Sequence, residues 1–257
     1  MRLMKEIVLQ QLTIGYRHKV VADGLSAVLR SGELTCLIGR NGLGKSTLLR
    51  TLSGFLQPLR GAVLLREATK EGNDEAELPP DSPNAREFVL NRLPKDRLAQ
   101  LVSVVLTERV GVRQLTVEQL VGLGRMPYTG FFNGMSATDH RVVAEALRLT
   151  GMSSFAQREV SELSDGERQK VMIARALAQQ TPVILLDEPT AFLDYGSKVE
   201  TMRLLSDLAH RMDKLIVAST HDLEIALHTA DRLLTIGDGG IKDLSKQQLK
   251  AKLEKYW

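Results

Sequence analysis

The stretch Gly39-Arg40-Asn41-Gly42-Leu43-Gly44-Lys45-Ser46 matches the pattern G-x-x-x-x-G-K-[ST], and its flanks decide how it is read. Leu34-Thr35-Cys36-Leu37-Ile38, just before it, reads as a short buried strand. Lys45 to Leu52, just after it, reads as a helix with apolar Leu48, Leu49 and Leu52. Strand, glycine-rich loop and helix in that order make a phosphate loop. Its glycines let backbone N–H groups approach phosphate oxygens, and its lysine brings positive charge to the transferable end. Gly39, Asn41, Gly42, Gly44, Lys45, Ser46 and Thr47 are therefore the candidate phosphate-binding residues. Lys45 is placed on the β- and γ-phosphates, and the Ser46 hydroxyl is offered to Mg²⁺.

Further along, the apolar run Val183-Ile184-Leu185-Leu186 ends in Asp187-Glu188. At the carboxyl edge of a parallel sheet the two acids face the crevice where ligands lie. Asp187 is expected to meet Mg²⁺, directly or through water. Glu188 is expected to orient an attacking water and accept its proton. His221 follows the strand run Leu215 to Ala218, so its ring reaches the same edge and can steady the γ-phosphate or the water. The other histidines, His18, His140, His210 and His228, form no metal-ligand grouping and are read as surface residues.

The 257 residues, 43% hydrophobic and 25% charged, suffice for one large core or a core with a smaller lobe. A net charge of +3 from 34 basic and 31 acidic side chains gives no case for nucleic acid as a partner. No apolar stretch approaches the ~20 residues that cross a bilayer. Met1 to Gln10 lacks the length and cleavage pattern of a secretory signal, so the protein is expected to remain in the cytoplasm. The single cysteine, Cys36, lies inside a strand and is read as a core residue.

Ile7 to Leu12 and Leu25 to Leu29 read as strands joined by a turn containing Gly15, Tyr16 and Arg17-His18-Lys19. Ala62 to Leu65 reads as another strand. Residues 66–97, charged and holding Pro79, Pro80, Pro83 and Pro94, read as an exposed insertion. Residues 116–156 read as a helical subdomain, interrupted at Pro127-Tyr128-Thr129-Gly130 and amphipathic from Asp139 to Thr150. A helix over Lys198 to Met212 lies between two strand runs, giving β-α-β alternation. The expected fold is α/β. A phosphate-loop NTPase core with a mixed or parallel sheet carries an N-terminal antiparallel β subdomain, together spanning 1–115 and 157–240. A tail follows over 241–257.

With these elements in place, Leu163-Ser164-Asp165-Gly166-Glu167-Arg168-Gln169 completes a resemblance to the ATP-binding subunits of ABC transporters, covering about Ile7 to Ile236. The resemblance implies an ATPase that uses ATP and Mg²⁺. It also implies a head-to-tail homodimer in which Ser164 and Gly166 of one copy meet the γ-phosphate held by the other. Ser164 followed by Glu167 is equally a capping box that starts a helix, and the two readings coexist. The resemblance further implies that Tyr16 stacks on adenine, that Asp194 in Ala191-Phe192-Leu193-Asp194 lies in the loop crossing between subunits, and that His221 is the switch histidine.

The chain departs from the family pattern in two places. Thr107 stands where most cassettes carry a glutamine that senses Mg²⁺ or water; its shorter hydroxyl offers a contact to a metal-bound water but no amide. Asp165 and Glu167 replace a glycine and a glutamine, adding negative charge where a phosphate arrives. Gly124-Arg125-Met126-Pro127-Tyr128-Thr129-Gly130 with Ser136-Ala137-Thr138-Asp139 resembles ATPases of iron-siderophore, haem and cobalamin importers. That points to a peripheral protein on the cytoplasmic face of the membrane. It would drive two transmembrane permease subunits through a groove near Thr107 to Thr116, and a periplasmic or lipoprotein substrate-binding protein would act indirectly. Two alternatives stay open: a regulatory cassette that dimerises without turnover, and an exporter or non-transport cassette.

Overall fold

The computed structural model describes residues 2–17, 19–70, 86–107, 114–129, 134–237 and 239–253. In chain order the strands are β1 (Arg2–Tyr16), β2 (Lys19–Arg30), β3 (Leu34–Ile38), β4 (Arg60–Lys70), β5 (Arg86–Val89), β6 (Val102–Val105), β7 (Val183–Leu186), β8 (Leu215–Thr220), β9 (Arg232–Gly237) and β10 (Gly240–Asp243). The helices are α1 (Lys45–Leu52), α2 (Lys95–Ala99), α3 (Val117–Gly122), α4 (Met126–Thr129), α5 (Ala137–Leu149), α6 (Asp165–Ala178), α7 (Tyr195–Met212), α8 (Leu223–Thr229) and α9 (Lys246–Leu253).

Among the described residues two sheets carry the fold. One is antiparallel, in the order β2-β1-β4-β5. The other runs β10-β9-β3-β8-β7-β6, parallel except for β10, which pairs antiparallel with β9. β3 is buried along its whole length because both faces of the parallel sheet are covered. Leu34, Cys36 and Ile38 join the core made with α3, α5, α6 and α7. Leu37 joins the core made with α1 and the antiparallel sheet. Leu48, Leu49 and Leu52 of α1 are almost fully buried in that second core, each stabilising by roughly 1.5–3 kcal/mol. The phosphate loop is thereby flanked on both sides by buried elements, the strand β3 and the apolar face of α1.

The first hairpin is longer than its apolar runs suggest. β1 continues through Gly15 and Tyr16 and β2 starts at Lys19, so the turn narrows around Arg17; His18 lies outside the described residues. Register shifts after Leu9, with Gln11 at φ 45°, break the strict alternation that marks a strand in sequence.

The proposed insertion at 66–97 is corrected at both ends. Arg66 to Lys70 extend β4, and Arg86 to Val89 form β5 antiparallel to it. The charges include a solvent-facing cross-strand pair, Arg66 Nε to Glu87 Oε2 at 2.8 Å. Pro94 precedes α2. Pro79, Pro80 and Pro83 lie outside the described residues.

The expected break at Pro127 is also corrected. Pro127 is the second residue of α4, among the first N–H positions that no helix pairs internally. Gly130 lies outside the described residues. The tail read at 241–257 carries structure in its described part, up to residue 253. Ile241 to Asp243 pair in β10, Asp243 bonds Arg232 at 2.8 Å, and Leu249 of α9 is buried. Among the described residues no helix is long and apolar enough to cross a membrane.

Candidate nucleotide site

Gly44 sits at φ 94° immediately before α1, where a Cβ would come within 2.9 Å of the Val21 side chain, so glycine is the residue this turn accepts. No side chain caps α1, and its first turn holds no acid. Its leading amides are therefore open to an anion at the positive end of the helix dipole. Lys45 is 95% buried, and its Nζ donates to the carbonyls of Gly39 at 2.7 Å and Arg40 at 3.1 Å. Burial pushes its ammonium down from the ordinary lysine range, while Glu188 and Asp187 push it back up.

At the ends of β7 and β8 the acids are held by hydroxyls. Asp187 Oδ1 accepts from Ser46 Oγ at 2.9 Å and from Ser219 Oγ at 2.7 Å, tying the phosphate-loop helix to two strands. The Glu188 N–H donates to Ser219 Oγ at 2.9 Å. Glu188 takes a left-handed backbone, φ 47°, which costs about 1–3 kcal/mol and persists because neighbouring bonds fix it. Its carboxylate lies 3.5 Å from His221 Nδ1. Asp222, next in the chain, accepts from Thr190 Oγ1 at 2.9 Å and from Lys198 Nζ at 3.0 Å, locking the loop that presents His221.

A cleft of about 410 Å³ gathers Asn41, Gly42, Gly44, Lys45, Ser46, Thr47, Thr107 and Glu188, with Val21 from β2 closing one side. Thr107 Oγ1 donates to the Asp187 carbonyl at 2.6 Å, so its hydrogen is committed within the chain. Tyr16, 43% exposed at the end of β1, Ser164, Gly166 and Asp194 do not line this cleft. The last three meet elsewhere. Ser164 caps α6 and Asp194 caps α7, with Gly166 packed so closely that a Cβ would lie 3.1 Å from Ser197 Oγ.

Two features escaped the sequence reading. Ser219 links the Asp187 carboxylate to the Glu188 backbone N–H, although nothing but its place beside Thr220-His221 marked it. The Gly124 to Asp139 motif is a packing lock. Arg125 Nε bonds Asp139 Oδ1 at 2.8 Å, and its Nη1 reaches the Ala178 carbonyl and Gln180 Oε1, each at 2.8 Å. A Cβ on Gly124 would collide with the Arg175 carbonyl at 2.4 Å. Bonds from Ser136 and then Arg125 hold the Asp139 carboxyl at about 2.

The ABC transporter family model matches residues 22–191. The achromobactin transport ATP-binding protein CbrD of Dickeya dadantii is 38% identical over 91% of this chain and 79% of its own. The iron(3+)-hydroxamate import ATP-binding protein FhuC of Bacillus subtilis is 33% identical over 93% and 81%. The dimeric post-hydrolysis structure of the ATP-binding cassette MJ0796, bound to ADP and Pi, superposes with a TM-score of 0.69 at 26% identity, covering 93% of this chain and 98% of that one. A loop built to receive phosphate, acids fixed beside it and this breadth of likeness lead to one conclusion: the chain belongs to the ABC transporter family, as one of its ATP-hydrolysing subunits.

Proposed function

We propose that this chain powers an importer of a metal chelate, of the iron-siderophore, haem or cobalamin kind. In this reading it works as a head-to-tail homodimer beneath two permease subunits and receives cargo indirectly from a substrate-binding protein. The observation that carries the ATPase part is the joining of Ser46, Asp187, Ser219 and Glu188 by hydrogen bonds of 2.7–2.9 Å beside the uncapped end of α1. The chelate part is supported by relatives named for achromobactin transport and iron(3+)-hydroxamate import.

In this reading Tyr16 stacks on adenine. The amides of Gly42, Gly44 and Lys45, with the Lys45 ammonium, bind the phosphates. Ser46 and Asp187 offer a hydroxyl and a carboxylate, the hard oxygen donors that suit Mg²⁺, with Thr107 contributing through water. The ion, when bound, neutralises phosphate charge. Glu188 takes a proton from water as the water's oxygen bonds to the γ-phosphorus and the bridging oxygen leaves with ADP; His221 keeps that carboxylate oriented. Ser164, Gly166 and Asp194 complete the other copy's site.

Phosphate release by purified wild type is expected to exceed that of Glu188→Gln by about 10²–10⁴-fold. Equal, near-zero rates overturn the catalytic assignment. Recovery of the tagged chain with a membrane permease supports transport, and recovery only with soluble proteins refutes it.

A further inference from the structure

The helix that carries Ser164 already holds an anion of its own. Both Ser164 donors end on one carboxylate oxygen: its N–H and its O–H each reach Glu167 Oε2 at 2.8 Å. The Glu167 N–H returns to Ser164 Oγ at 3.3 Å. Those bonds from Ser164 keep the Glu167 carboxyl below its usual range. A serine hydroxyl has one hydrogen, so while it points to Glu167 it cannot be given to a second acceptor.

Neighbouring donors on Ser197 and Lys170 are engaged as well. Beside Gly166 lies the start of α7, where the N–H and O–H of Ser197 end on Asp194 at 2.9 and 2.7 Å. Lys170, one turn into α6, is drawn to Glu200 at 2.8 Å. Two neighbouring helix N-termini are thus each neutralised by a carboxylate of the same chain.

We infer that Glu167 is a positioning residue that sets the ATP threshold for closure: its carboxylate occupies the Ser164 N–H and O–H, and the terminal phosphate held by a second copy must displace it. This inference rests on the sandwich dimer proposed above. No covalent bond changes; one anion replaces another on the same two donors. Glutamine at this position alters the exchange in a defined way. Its neutral carbonyl oxygen can take the place of Oε2 on the same two donors but accepts from them more weakly than a carboxylate does, so the arriving phosphate displaces it more readily.

The test uses the full chain carrying Glu188→Gln, which is expected to bind ATP without hydrolysing it, with and without Glu167→Gln, titrated with Mg-ATP and followed by light scattering. Glu167→Gln is expected to lower the ATP concentration for half-dimerisation about tenfold, the weight of one hydrogen bond to a charged group. The gain is expected to survive at about 1 M salt, where the screening length is about 3 Å. Dimers forming at the same or higher ATP overturn the exchange while leaving the sandwich intact. A gain that vanishes in salt overturns it too, because the charge of Glu167 would then act only at a distance. No dimer with either residue at any ATP concentration overturns the sandwich and this inference together.

Discussion

The two helices that are proposed to meet phosphate, α1 and α6, begin in opposite ways. α1 starts after a glycine at φ 94°, with no side-chain cap and no acid in its first turn. α6 starts with a full capping box and two acids, Asp165 and Glu167. Its far end is held as well, since Arg125 reaches the Ala178 carbonyl. A helix that leaves its amides free gives up local stability for an anion-binding end; a helix that satisfies them gains stability and must surrender a bond to bind. The contrast suits a division of labour in which ATP loads first on α1 and reaches the partner's α6 only afterwards.

The contrast can be pressed hardest at the C-terminal end of α6. Arg125→Ala leaves Asp139 without its buried partner and strips the α6 terminus, so the Tm is expected to fall on the order of 10 °C. An unchanged melt would mean that α6 is held from its N-terminus alone. At α1 the decisive change is Lys45→Ala, which is expected to reduce phosphate release about 10²–10³-fold by removing the charge proposed to bind the phosphates, with the melt little altered. Retained turnover would show that open amides suffice.

A smaller effect is expected from Gly44→Ala, which forces a Cβ into a left-handed turn against Val21 and should cost about 1–2 kcal/mol in a denaturant titration. If the variant is as stable as the parent, the loop is not held in this form without nucleotide. The smallest is a matter of pH. The folded Asp139 carboxyl stands at about 2, below its ordinary 3.8, so its contribution is present above pH ~4 and fades as pH falls toward 2. Asp139→Asn should flatten the part of the acid-unfolding curve that falls in that window.

Much of the site was legible because its pieces are local. Gly39 to Ser46 needs only a strand before it and a helix after it, and Asp187-Glu188 ends an apolar run that can hardly be anything but a buried strand. The capping box at Ser164 and Glu167 was legible for the same reason, being written within four residues. What stayed hidden depends on partners far along the chain. Ser219 acquires its role only when β8 lies beside β7, and Arg125 only when α5 and the end of α6 converge on it. Strand ends were misjudged where bulges disturb alternation, as in β1, or where paired charges imitate a solvent-facing loop, as with Arg66 and Glu87. β10 was missed because four residues at the edge of a sheet carry too little pattern to register.

Cys36, the one cysteine of the chain, lies inside β3 with its thiol pushed by burial up to about 12. At neutral pH it presents almost no thiolate, and sulfhydryl reagents should pass it by. A new cysteine at an exposed position such as Lys242 would then take a maleimide dye alone, on an otherwise native background. Donor- and acceptor-labelled batches, mixed in solution, would report the pairing of two copies by energy transfer in real time.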